Sequence, residues 1–242
     1  MFDLNSKKTL VTGATQGIGL AIAKALGDAG AEVFVNGAHS PEKCRAAADL
    51  VRGGIPAHAD LEKPDGPEEL FEKTGPADIL VLNASVQFRR PWHSITDEEW
   101  IKQTELNLHS SLRLMQLYYP AMKERGWGRI LAVGSVQQIK PHPDMALYAA
   151  TKAAQFNLVC NLAKQLAPYG ITVNNLAPGV IATPRNEDAL ADPVYREKVL
   201  SGIPAGYAGK PEDCAAAALL LCSDGGRYIT GSNIYVDGGM HL

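Results

Sequence analysis

The sequence predicts an α/β domain in which a parallel sheet is covered by helices on both faces. Short apolar runs typical of buried strands alternate with helical patterns along the chain, and the loops between them are short. The 242 residues, of which 46% are hydrophobic and 20% charged, are enough for one large packed core. We therefore expect a single domain over residues 1–242.

The expected elements follow from the apolar periodicity and from the residues that start and end helices. Strands are expected at residues 8–12, 31–35, 55–58, 77–82, 129–134 and 171–176. Helices are expected at residues 20–30, 41–51, 66–73, 97–123 and 145–169. Thr96 or Asp97 starts the longest helix, because Glu98 and Glu99 suit its first turn. Residues 184–208 lack a strong strand or helix pattern at their edges, which predicts a lid over a substrate.

Charge, cysteines and hydropathy exclude several classes of protein. The net charge is −3 and no run of Lys and Arg is present, which argues against a nucleic-acid partner. The start of the chain carries no signal-peptide pattern, and its longest apolar run, residues 215–222, is too short to span a bilayer. The cysteines lack the spacing of a zinc site and are expected to be buried thiols: Cys44, Cys160, Cys214 and Cys222. These observations predict a cytoplasmic protein with no metal site and no membrane partner.

A glycine-rich turn follows the first expected strand. Gly13, Gly17 and Gly19 lie between that strand and the helical pattern that begins at Leu20. Glycines let the backbone approach a pyrophosphate closely, and a helix start offers free N–H groups at the positive end of its dipole. The turn therefore predicts a bound dinucleotide. A tight strand–helix connection without a ligand is the alternative, because the spacing differs from Gly-x-Gly-x-x-Gly.

Four polar residues are candidates for proton transfer. Ser135 ends an apolar run, at the edge where open α/β sheets bind their ligands. Tyr148 and Lys152 share one face of a helix, with an exposed pair as the alternative. An ammonium about 4 Å from a phenol, at an effective dielectric of ~20, lowers the phenol pKa by about three units, to near neutrality. Asn107, within a Leu-rich helix, is expected to be a structural hydrogen-bonder or part of a proton route.

Together these residues resemble the motifs of the short-chain dehydrogenase/reductase family in order and spacing. The motifs are residues 12–19, 83–84, 107, 135, 148–152 and 178–183. The resemblance implies a Rossmann-type doubly wound sheet and an NAD(P)-dependent enzyme that interconverts a secondary alcohol and a ketone. It also implies that Ser135 binds the substrate oxygen and that Tyr148 passes the proton. Lys152 would lower the phenol pKa and bind the nicotinamide ribose, while Asn107 would fix a helix distortion and a water.

The same resemblance implies which residues bind the cofactor. Gly13, Gly17 and Gly19 would meet the pyrophosphate, Asp60 the adenine and Asn83 the ribose side of the cofactor. The full expected set adds Thr15, Gln16, Ile18, Asn36, His39, Leu61, Ala84, Tyr148, Lys152, Pro178, Gly179, Ile181 and Thr183. One departure from the family pattern stands out, because Ser85 occupies a position where the family usually has glycine.

Cofactor preference is predicted from the end of the second strand. The segment holds neither an acid to bind the ribose diol of NAD nor an arginine to bind the phosphate of NADP. Asn36, His39 and Ser40 can donate hydrogen bonds, so NADP is favoured over NAD. A carboxylate placed at Gly37 is expected to reverse this preference by repelling the phosphate. The alternative for His39 is a solvated loop residue.

The expected substrate is a sugar acid or a polyol. Residues 83–91, 135–138 and 203–213 resemble the branch that contains gluconate 5-dehydrogenase and 2-deoxy-gluconate 3-dehydrogenase. The expected substrate-binding residues are Gln87, Arg89, Arg90, Gln137 and His142. An arginine here would bind a carboxylate by two parallel hydrogen bonds, with the alternative that both arginines are solvated or pair with acids at a subunit contact. A 3-oxoacyl (carrier protein) reductase and a nucleotide-binding protein without turnover are the alternative functions.

The helices around Asn107 and Tyr148 predict an oligomer. Both carry apolar residues on more than one side, such as Leu112 and Phe156, whereas a helix that only covers a sheet needs one apolar stripe. In the resembling family these helices form dimers, and the C-terminal strand and tail pair the dimers. We therefore expect a homotetramer. Packing around a lid within one subunit is the alternative.

Overall fold

Seven parallel strands form one sheet, in the order β3-β2-β1-β4-β5-β6-β7. The structure is a computed structural model that describes residues 1–242, apart from the side chains of residues 188 and 189. The strands are β1 Lys8–Val11, β2 Glu32–Gly37, β3 Gly54–His58, β4 Ile79–Leu82, β5 Gly128–Val133, β6 Ile171–Pro178 and β7 Asn233–Val236. The strand order reverses between β1 and β4, which is where doubly wound sheets bind ligands. The predicted fold class is therefore confirmed.

Helices cover both faces of the sheet. They are α1 Gly17–Asp28, α2 Pro41–Ala48, α3 Gly66–Thr74, α4 Asp97–Thr104, α5 Ser110–Arg125, α6 Ala146–Leu166, α7 Glu187–Ala191, α8 Pro193–Ser201 and α9 Pro211–Cys222. One core contains buried residues of α1, α2 and α9, and a second core contains those of α3, α5 and α6. Neighbouring strand residues point to opposite faces, so Val11 belongs to the first core and Leu10 to the second.

The longest expected helix is divided by a π-helical turn at Glu105–His109, between α4 and α5. Thr96 caps α4 as expected, because its hydroxyl accepts from the Glu99 N–H and the Glu99 carboxylate accepts from the Thr96 N–H. A π turn inserts an extra residue and often marks a functional site. The turn contains Asn107, at which the resemblance implies a distorted helix.

Residues 184–201 are more regular than their sequence pattern predicts. A 3₁₀ turn at Pro184–Asn186 precedes α7 and α8. Asp192 begins α8, because its carboxylate accepts hydrogen bonds from the N–H groups of Val194 and Tyr195, 2.9 and 3.0 Å away. The weak pattern at the edges of the segment therefore understated its helical content, and the lid over a substrate stays a prediction.

Other features of the described residues bear on the excluded classes. Within the described part of the chain, no helix combines the length and apolarity needed to cross a membrane. No group of three His, Cys, Asp or Glu side chains suited to a metal is found among the described residues. All the cysteines are free thiols, and Cys44, Cys214 and Cys222 are buried, while Cys160 is partly buried.

Candidate active site

A cavity of about 670 Å³ opens at the carboxyl ends of the central strands. Gly13, Asn83, Gly134 and Gly179 line it, and these residues follow β1, β4, β5 and β6. The cavity therefore lies where the strand order reverses, the position at which open α/β sheets bind ligands.

The glycine turn forms one wall of this cavity and fits a pyrophosphate. Gly13 and Gly17 have φ values of 60° and 58°, which favour glycine. A Cβ at Gly13 would lie 2.9 Å from the Ala84 Cα, so this approach requires glycine. The Asn83 amide donates to the carbonyls of Thr12 and Gly13, both at 2.9 Å, and holds the turn in place. The first turn of α1 contains no acidic residue and no side-chain cap, which leaves its N–H groups available for an anion.

The structure corrects the expected role of Asn36. Its side-chain amide donates to the carbonyls of Ala57 and Ala59, at 3.0 and 3.1 Å, and its carbonyl accepts from the Gly13 N–H at 3.3 Å. Both amide hydrogens are thus used within the protein, and the buried side chain supports the glycine turn instead of donating to a cofactor. Ser40 caps α2 by accepting from the Lys43 N–H at 3.1 Å. His39 lies exposed at the cavity.

The cavity brings together most of the other residues expected at the cofactor. These are Gly13, Thr15, Gln16, Gly17, Ile18, Gly19, Asp60, Leu61, Asn83, Ala84, Tyr148, Pro178, Gly179, Ile181 and Thr183. Gly37 also lines it, but a Cβ there would lie only 2.3 Å from the Thr15 Cγ2. A carboxylate at this position would displace Thr15, so the expected Gly37→Asp test is unsuitable. The exposed Ala38, which also lines the cavity, is the better position.

Ser135 and Tyr148 meet at the bottom of the cavity. Ser135 directly follows Gly134 at the end of β5, and its hydroxyl accepts from the Gln137 N–H at 3.1 Å, which fixes the side chain. Tyr148 lies in the first turn of α6 and is 5% exposed. The polar groups that act on the phenol are the hydroxyls of Ser135 and Ser85 and the guanidinium of Arg185. The phenol is therefore shielded from bulk water and faces several donors.

The structure also corrects the expected pKa of Tyr148. Burial raises the pKa of the phenol above its ordinary value, and the Arg185 charge opposes this rise most strongly. Hydrogen bonds from Ser135 and Ser85 act in the same direction as Arg185. The expectation of a pKa near neutrality, set by Lys152, is wrong because the Coulomb argument left out the cost of burying a phenolate. Tyr148 is thus a protonated phenol at neutral pH.

Lys152 is buried beside Tyr148 and anchored at its ammonium. Its Nζ donates to the Val133 carbonyl at 2.8 Å and to the Gln155 Oε1 at 3.2 Å. Burial lowers the pKa of Lys152 to about 7, and the like charge of Arg185 adds to this lowering. The Nζ lies 5.9 Å from the centre of the Tyr148 ring. Lys152 does not line the cavity itself, in contrast to Tyr148.

Asn107 is fully buried, and all of its amide groups are hydrogen-bonded. Its Oδ1 accepts from the Val86 N–H at 2.8 Å, and its Nδ2 donates to the Val86 carbonyl at 2.9 Å and the Thr151 hydroxyl at 3.1 Å. The π turn is thereby fixed to the loop after β4 and to α6. This geometry agrees with the structural alternative for Asn107.

A chain of side chains connects Lys152 to the π turn. Gln155 accepts from Lys152, and its Nε2 donates to the Ser111 hydroxyl at 2.9 Å. The Ser111 hydroxyl in turn donates to the backbone carbonyl of Asn107 at 3.4 Å. Gln155 is 1% exposed. Gln155 was not among the residues predicted from the sequence, although a glutamine three residues after the lysine of the same helix was a usable signal.

The structure separates the two arginines expected at the substrate. Arg89 lines the cavity, as do Gln87, Gln137 and His142. Arg90 does not line it, because its Nε donates to the Glu99 carboxylate at 2.7 Å, which makes a partly buried ion pair. Arg90 is therefore held outside the cavity by an acid of its own chain, whereas the alternative interpretation placed such pairs at a subunit contact.

Arg89 is fixed near the mouth of the cavity. It donates to the Tyr195 hydroxyl of α8 and approaches the His142 Nε2 at 3.4 Å. The His142 Nδ1 accepts from the Asp144 N–H at 3.1 Å, and burial followed by the charge of Arg89 lowers the pKa of His142. His142 is thus a neutral imidazole beside a cation. Gln137 accepts from the His142 N–H at 2.6 Å and supports this arrangement.

Several cavity residues have no counterpart among the predicted sites. They include Ser85, Lys140, Arg185, Tyr195, Lys198, Val199 and Met240. Arg185 donates to the Ser85 hydroxyl at 3.1 Å and to the Ser85 carbonyl at 2.7 Å. Its position two residues after the expected cofactor segment was the available signal.

Comparisons with known proteins agree with this geometry. The family model described as enoyl-(acyl carrier protein) reductase matches residues 13–241. D-beta-hydroxybutyrate dehydrogenase of Rhizobium meliloti is 35% identical to this chain over 253 residues, which cover 97% of this chain and 98% of that protein.

Two solved structures extend the comparison. A 3-oxoacyl (acyl-carrier-protein) reductase from Agrobacterium tumefaciens with NADP bound has a TM-score of 0.92 and 37% identity, covering 98% of this chain and 95% of that one. A gluconate 5-dehydrogenase from Burkholderia cenocepacia in complex with NADP and tartrate has a TM-score of 0.88 and 33% identity. That match covers 99% of this chain and 96% of the other.

The parallel sheet, the glycine turn and the buried tyrosine–lysine pair define the class as a nicotinamide-dependent oxidoreductase. The chain belongs to the short-chain dehydrogenase/reductase family. The predicted family and enzyme class are therefore confirmed. The similarity to gluconate 5-dehydrogenase is also confirmed, and it is shared with relatives whose names give other substrates.

Proposed function

We propose that the protein interconverts a hydroxy acid and the corresponding oxo acid, with a sugar acid as the favoured kind of substrate. The basic lining of the cavity beyond Tyr148 carries this proposal. Its cationic side chains are Arg89, Lys140, Arg185 and Lys198, beside the imidazole of His142. Such a set favours an anionic substrate, and arginine in particular suits a carboxylate.

The acids that line the cavity lie at its other end. Asp60 and Glu62 follow β3, beside the part of the cavity expected to hold adenine. Among the described lining residues, no carboxylate accompanies the cations near Tyr148. Arg89, Lys140 and Arg185 have neutral hydrogen-bond partners within the protein, and a neutral polyol would add no charge to offset theirs, whereas a carboxylate would.

The proposed reaction divides between the protein and a bound nicotinamide. The nicotinamide accepts or supplies the hydride when it is bound. Ser135 donates a hydrogen bond to the substrate oxygen and orients it. In ketone reduction the protonated Tyr148 phenol donates its proton to the oxygen that becomes the alcohol. In the reverse direction Tyr148 must first lose its proton, so oxidation is expected to accelerate as the pH rises.

Lys152, in this proposal, serves both Tyr148 and the cofactor ribose. Its ammonium has two protein acceptors, which leaves one N–H to donate. Asn107 fixes the π turn and, through Ser111 and Gln155, the position of Lys152. The proposed assignment of the catalytic set is therefore Asn107, Ser135, Tyr148 and Lys152.

We propose NADP as the preferred cofactor. No acidic residue occurs between Asn36 and Ser40, so no carboxylate there would repel a 2′-phosphate. His39 and the backbone beside Ala38 face the cavity at this point. The two solved structures compared above have NADP bound, which supports the same preference.

The test is a panel of oxo sugar acids, the matching polyol ketones and 3-oxoacyl thioesters, assayed with NADPH and NADH by nicotinamide absorbance. The proposal predicts turnover of acids with NADPH and much slower turnover of the polyol ketones. Faster turnover of the neutral ketones than of the acids would contradict it. Turnover confined to the thioesters would instead support a 3-oxoacyl reductase.

We propose a homotetramer as the assembled form. Leu112 of α5 and Phe156 of α6 are only half-buried, and Trp100 and Ile101 of α4 are 56% and 58% exposed. Apolar surface of this extent favours a subunit contact. Light scattering should give four subunits, and Leu112→Glu with Phe156→Glu should split the assembly. An active monomer at micromolar concentration would contradict the proposal. The free thiols fit a reducing compartment such as the cytoplasm.

A further inference from the structure

We propose that Arg185, positioned by Ser85, binds the substrate carboxylate next to the reacting carbon and so selects 2- and 3-oxo acids with their hydroxy acids. This inference rests on the proposed function, because it assumes an acidic substrate. It also gives a role to Ser85, which stands where the family pattern usually has glycine.

The contacts of Arg185 carry the inference. Its Nη1 donates to the Ser85 hydroxyl at 3.1 Å, and its Nη2 donates to the Ser85 carbonyl at 2.7 Å. The two residues are 100 positions apart in the chain, and their contact bridges the loop after β4 and the segment after β6. Among the described side chains, no carboxylate forms an ion pair with Arg185.

Ser85 gives Arg185 a partner that glycine would not supply. Glycine would keep the carbonyl acceptor but would remove the hydroxyl that receives the Nη1. The same hydroxyl is one of the groups that oppose the raised pKa of the Tyr148 phenol. Ser85 therefore connects the cation to the proton-transfer residue.

The position of Arg185 limits where the substrate carboxylate lies. The reacting oxygen must come within about 3 Å of the Tyr148 phenol for proton transfer. A carboxylate bound by the guanidinium would lie about 2.8 Å from its nitrogens. Arg185 and Tyr148 line the same cavity, Arg185 is bonded to Ser85 in the loop after β4, and its charge acts on the phenol. A carboxylate bound by Arg185 therefore lies close to the reacting carbon, at a separation of one or two carbon–carbon bonds. This spacing defines 2-oxo and 3-oxo acids.

Arg89 is suited to a different part of the substrate. Its guanidinium donates to Tyr195 of α8 and lies beside His142, near the mouth of the cavity. Arg89 would therefore meet the far end of a longer substrate, such as the hydroxyl groups of a sugar acid. The two arginines thus act at opposite ends of one molecule.

The experiment uses 2-, 3- and 5-oxohexanoate and their methyl esters as substrates with NADPH. The wild-type protein should prefer the 2- and 3-oxo acids over their esters by about 10- to 100-fold, the effect of one charged hydrogen-bonded contact. The preference should be much smaller for 5-oxohexanoate, whose carboxylate lies too far from the carbonyl. Arg185→Met should bring the acid-to-ester ratio of the 2- and 3-oxo substrates close to one, and Arg185→Lys should restore part of it.

Two further variants serve as a matched control and as a milder change at the same contact. Arg196→Met removes an exposed arginine of α8 that does not line this cavity, and it should leave every ratio unchanged. Ser85→Gly is a milder change that should lower the ratio without removing the cation. Arg185→Met should also move the pH dependence of alcohol oxidation to higher pH, because the charge that opposes the raised pKa of Tyr148 is lost.

The outcomes separate the two proposals. Equal rates for acids and esters in the wild-type protein would overturn the acidic substrate and with it the proposed function. A wild-type preference for acids that survives Arg185→Met would overturn only the role of Arg185. A preference that is equally strong for 5-oxohexanoate would overturn the placement of the carboxylate beside the reacting carbon.

Discussion

The interior and the mouth of the cavity are built in different ways. In the interior, Lys152, Gln155 and Asn107 are at most 1% exposed, and they are joined by hydrogen bonds within and between α5, α6 and the π turn. The outer region, called the mouth here, extends from Arg89 at the opening inward to Arg185, and both arginines are exposed and are held by partners on distant loops and on α8. The interior is thus preorganised, whereas the mouth can rearrange around a substrate.

This difference suits an enzyme family with one reaction and many substrates. The compared relatives are named for hydroxybutyrate, 3-oxoacyl and gluconate substrates, yet the two compared structures superpose on this chain with TM-scores of 0.92 and 0.88. A fixed interior keeps the proton-transfer groups in place. A few exposed side chains at the mouth are then sufficient to change which substrate is accepted.

The largest expected effect comes from Tyr148→Phe, at the junction of the two regions. Removal of the hydroxyl should lower turnover by about 10²- to 10⁴-fold, the usual contribution of a general acid or base. Affinity for NADPH, measured by fluorescence titration, should change little because the ring volume is kept. Tyr169→Phe, at an exposed tyrosine, is the matched control. Near wild-type turnover of Tyr148→Phe would remove the tyrosine from the mechanism.

Lys152→Met tests whether one buried ammonium supports proton transfer by Tyr148 and also binds the cofactor ribose. We expect a loss of turnover of about 10²-fold or more, together with weaker NADPH binding, since the same group is proposed to contact the ribose. Methionine fills a similar volume, which limits the packing change. Titration of NADPH separates the two roles. Unchanged affinity would restrict Lys152 to the tyrosine.

Ala38→Asp tests the cofactor preference at the far end of the cavity. The carboxylate should repel the 2′-phosphate of NADP and accept hydrogen bonds from the ribose diol of NAD, which should reverse the preference. Ala38→Asn is the uncharged control. The kcat/KM values for NADPH and NADH measure the effect. A wild-type protein that already prefers NADH would contradict the proposed cofactor.

Gln155→Leu is expected to have a smaller effect, of about 10-fold on turnover at neutral pH, the value of one hydrogen bond to a charged group. Lys152 has a pKa of about 7, and loss of the Gln155 acceptor disfavours the ammonium, so this pKa falls further. The alkaline limb of the pH–rate profile should therefore move to lower pH. The exposed Gln165 of the same helix offers the control Gln165→Leu. An unchanged alkaline limb would contradict the role of Gln155.

The sequence predicted the interior of the site better than its mouth. Ser135, Tyr148 and Lys152 belong to local motifs, so their approach follows from the sheet topology. Arg185 reaches Ser85 across 100 residues, and no periodicity or spacing predicts such a contact. Asn36 was assigned to the cofactor because the strand end is a ligand site, yet its amide donates to the carbonyls of Ala57 in β3 and of Ala59 just after it. The predicted pKa of Tyr148 was wrong for a similar reason, because the burial that raises it depends on the whole fold.

The division of labour between the interior and the mouth is tested by one measurement. It is the acid-to-ester ratio of kcat/KM for 3-oxohexanoate in Gln155→Leu and in Arg185→Met, assayed side by side. If the interior performs proton transfer and the mouth selects the substrate, Gln155→Leu lowers both rates equally and keeps the wild-type ratio. Arg185→Met then brings the ratio close to one. A ratio that falls as far in Gln155→Leu as in Arg185→Met would contradict the division between the two regions.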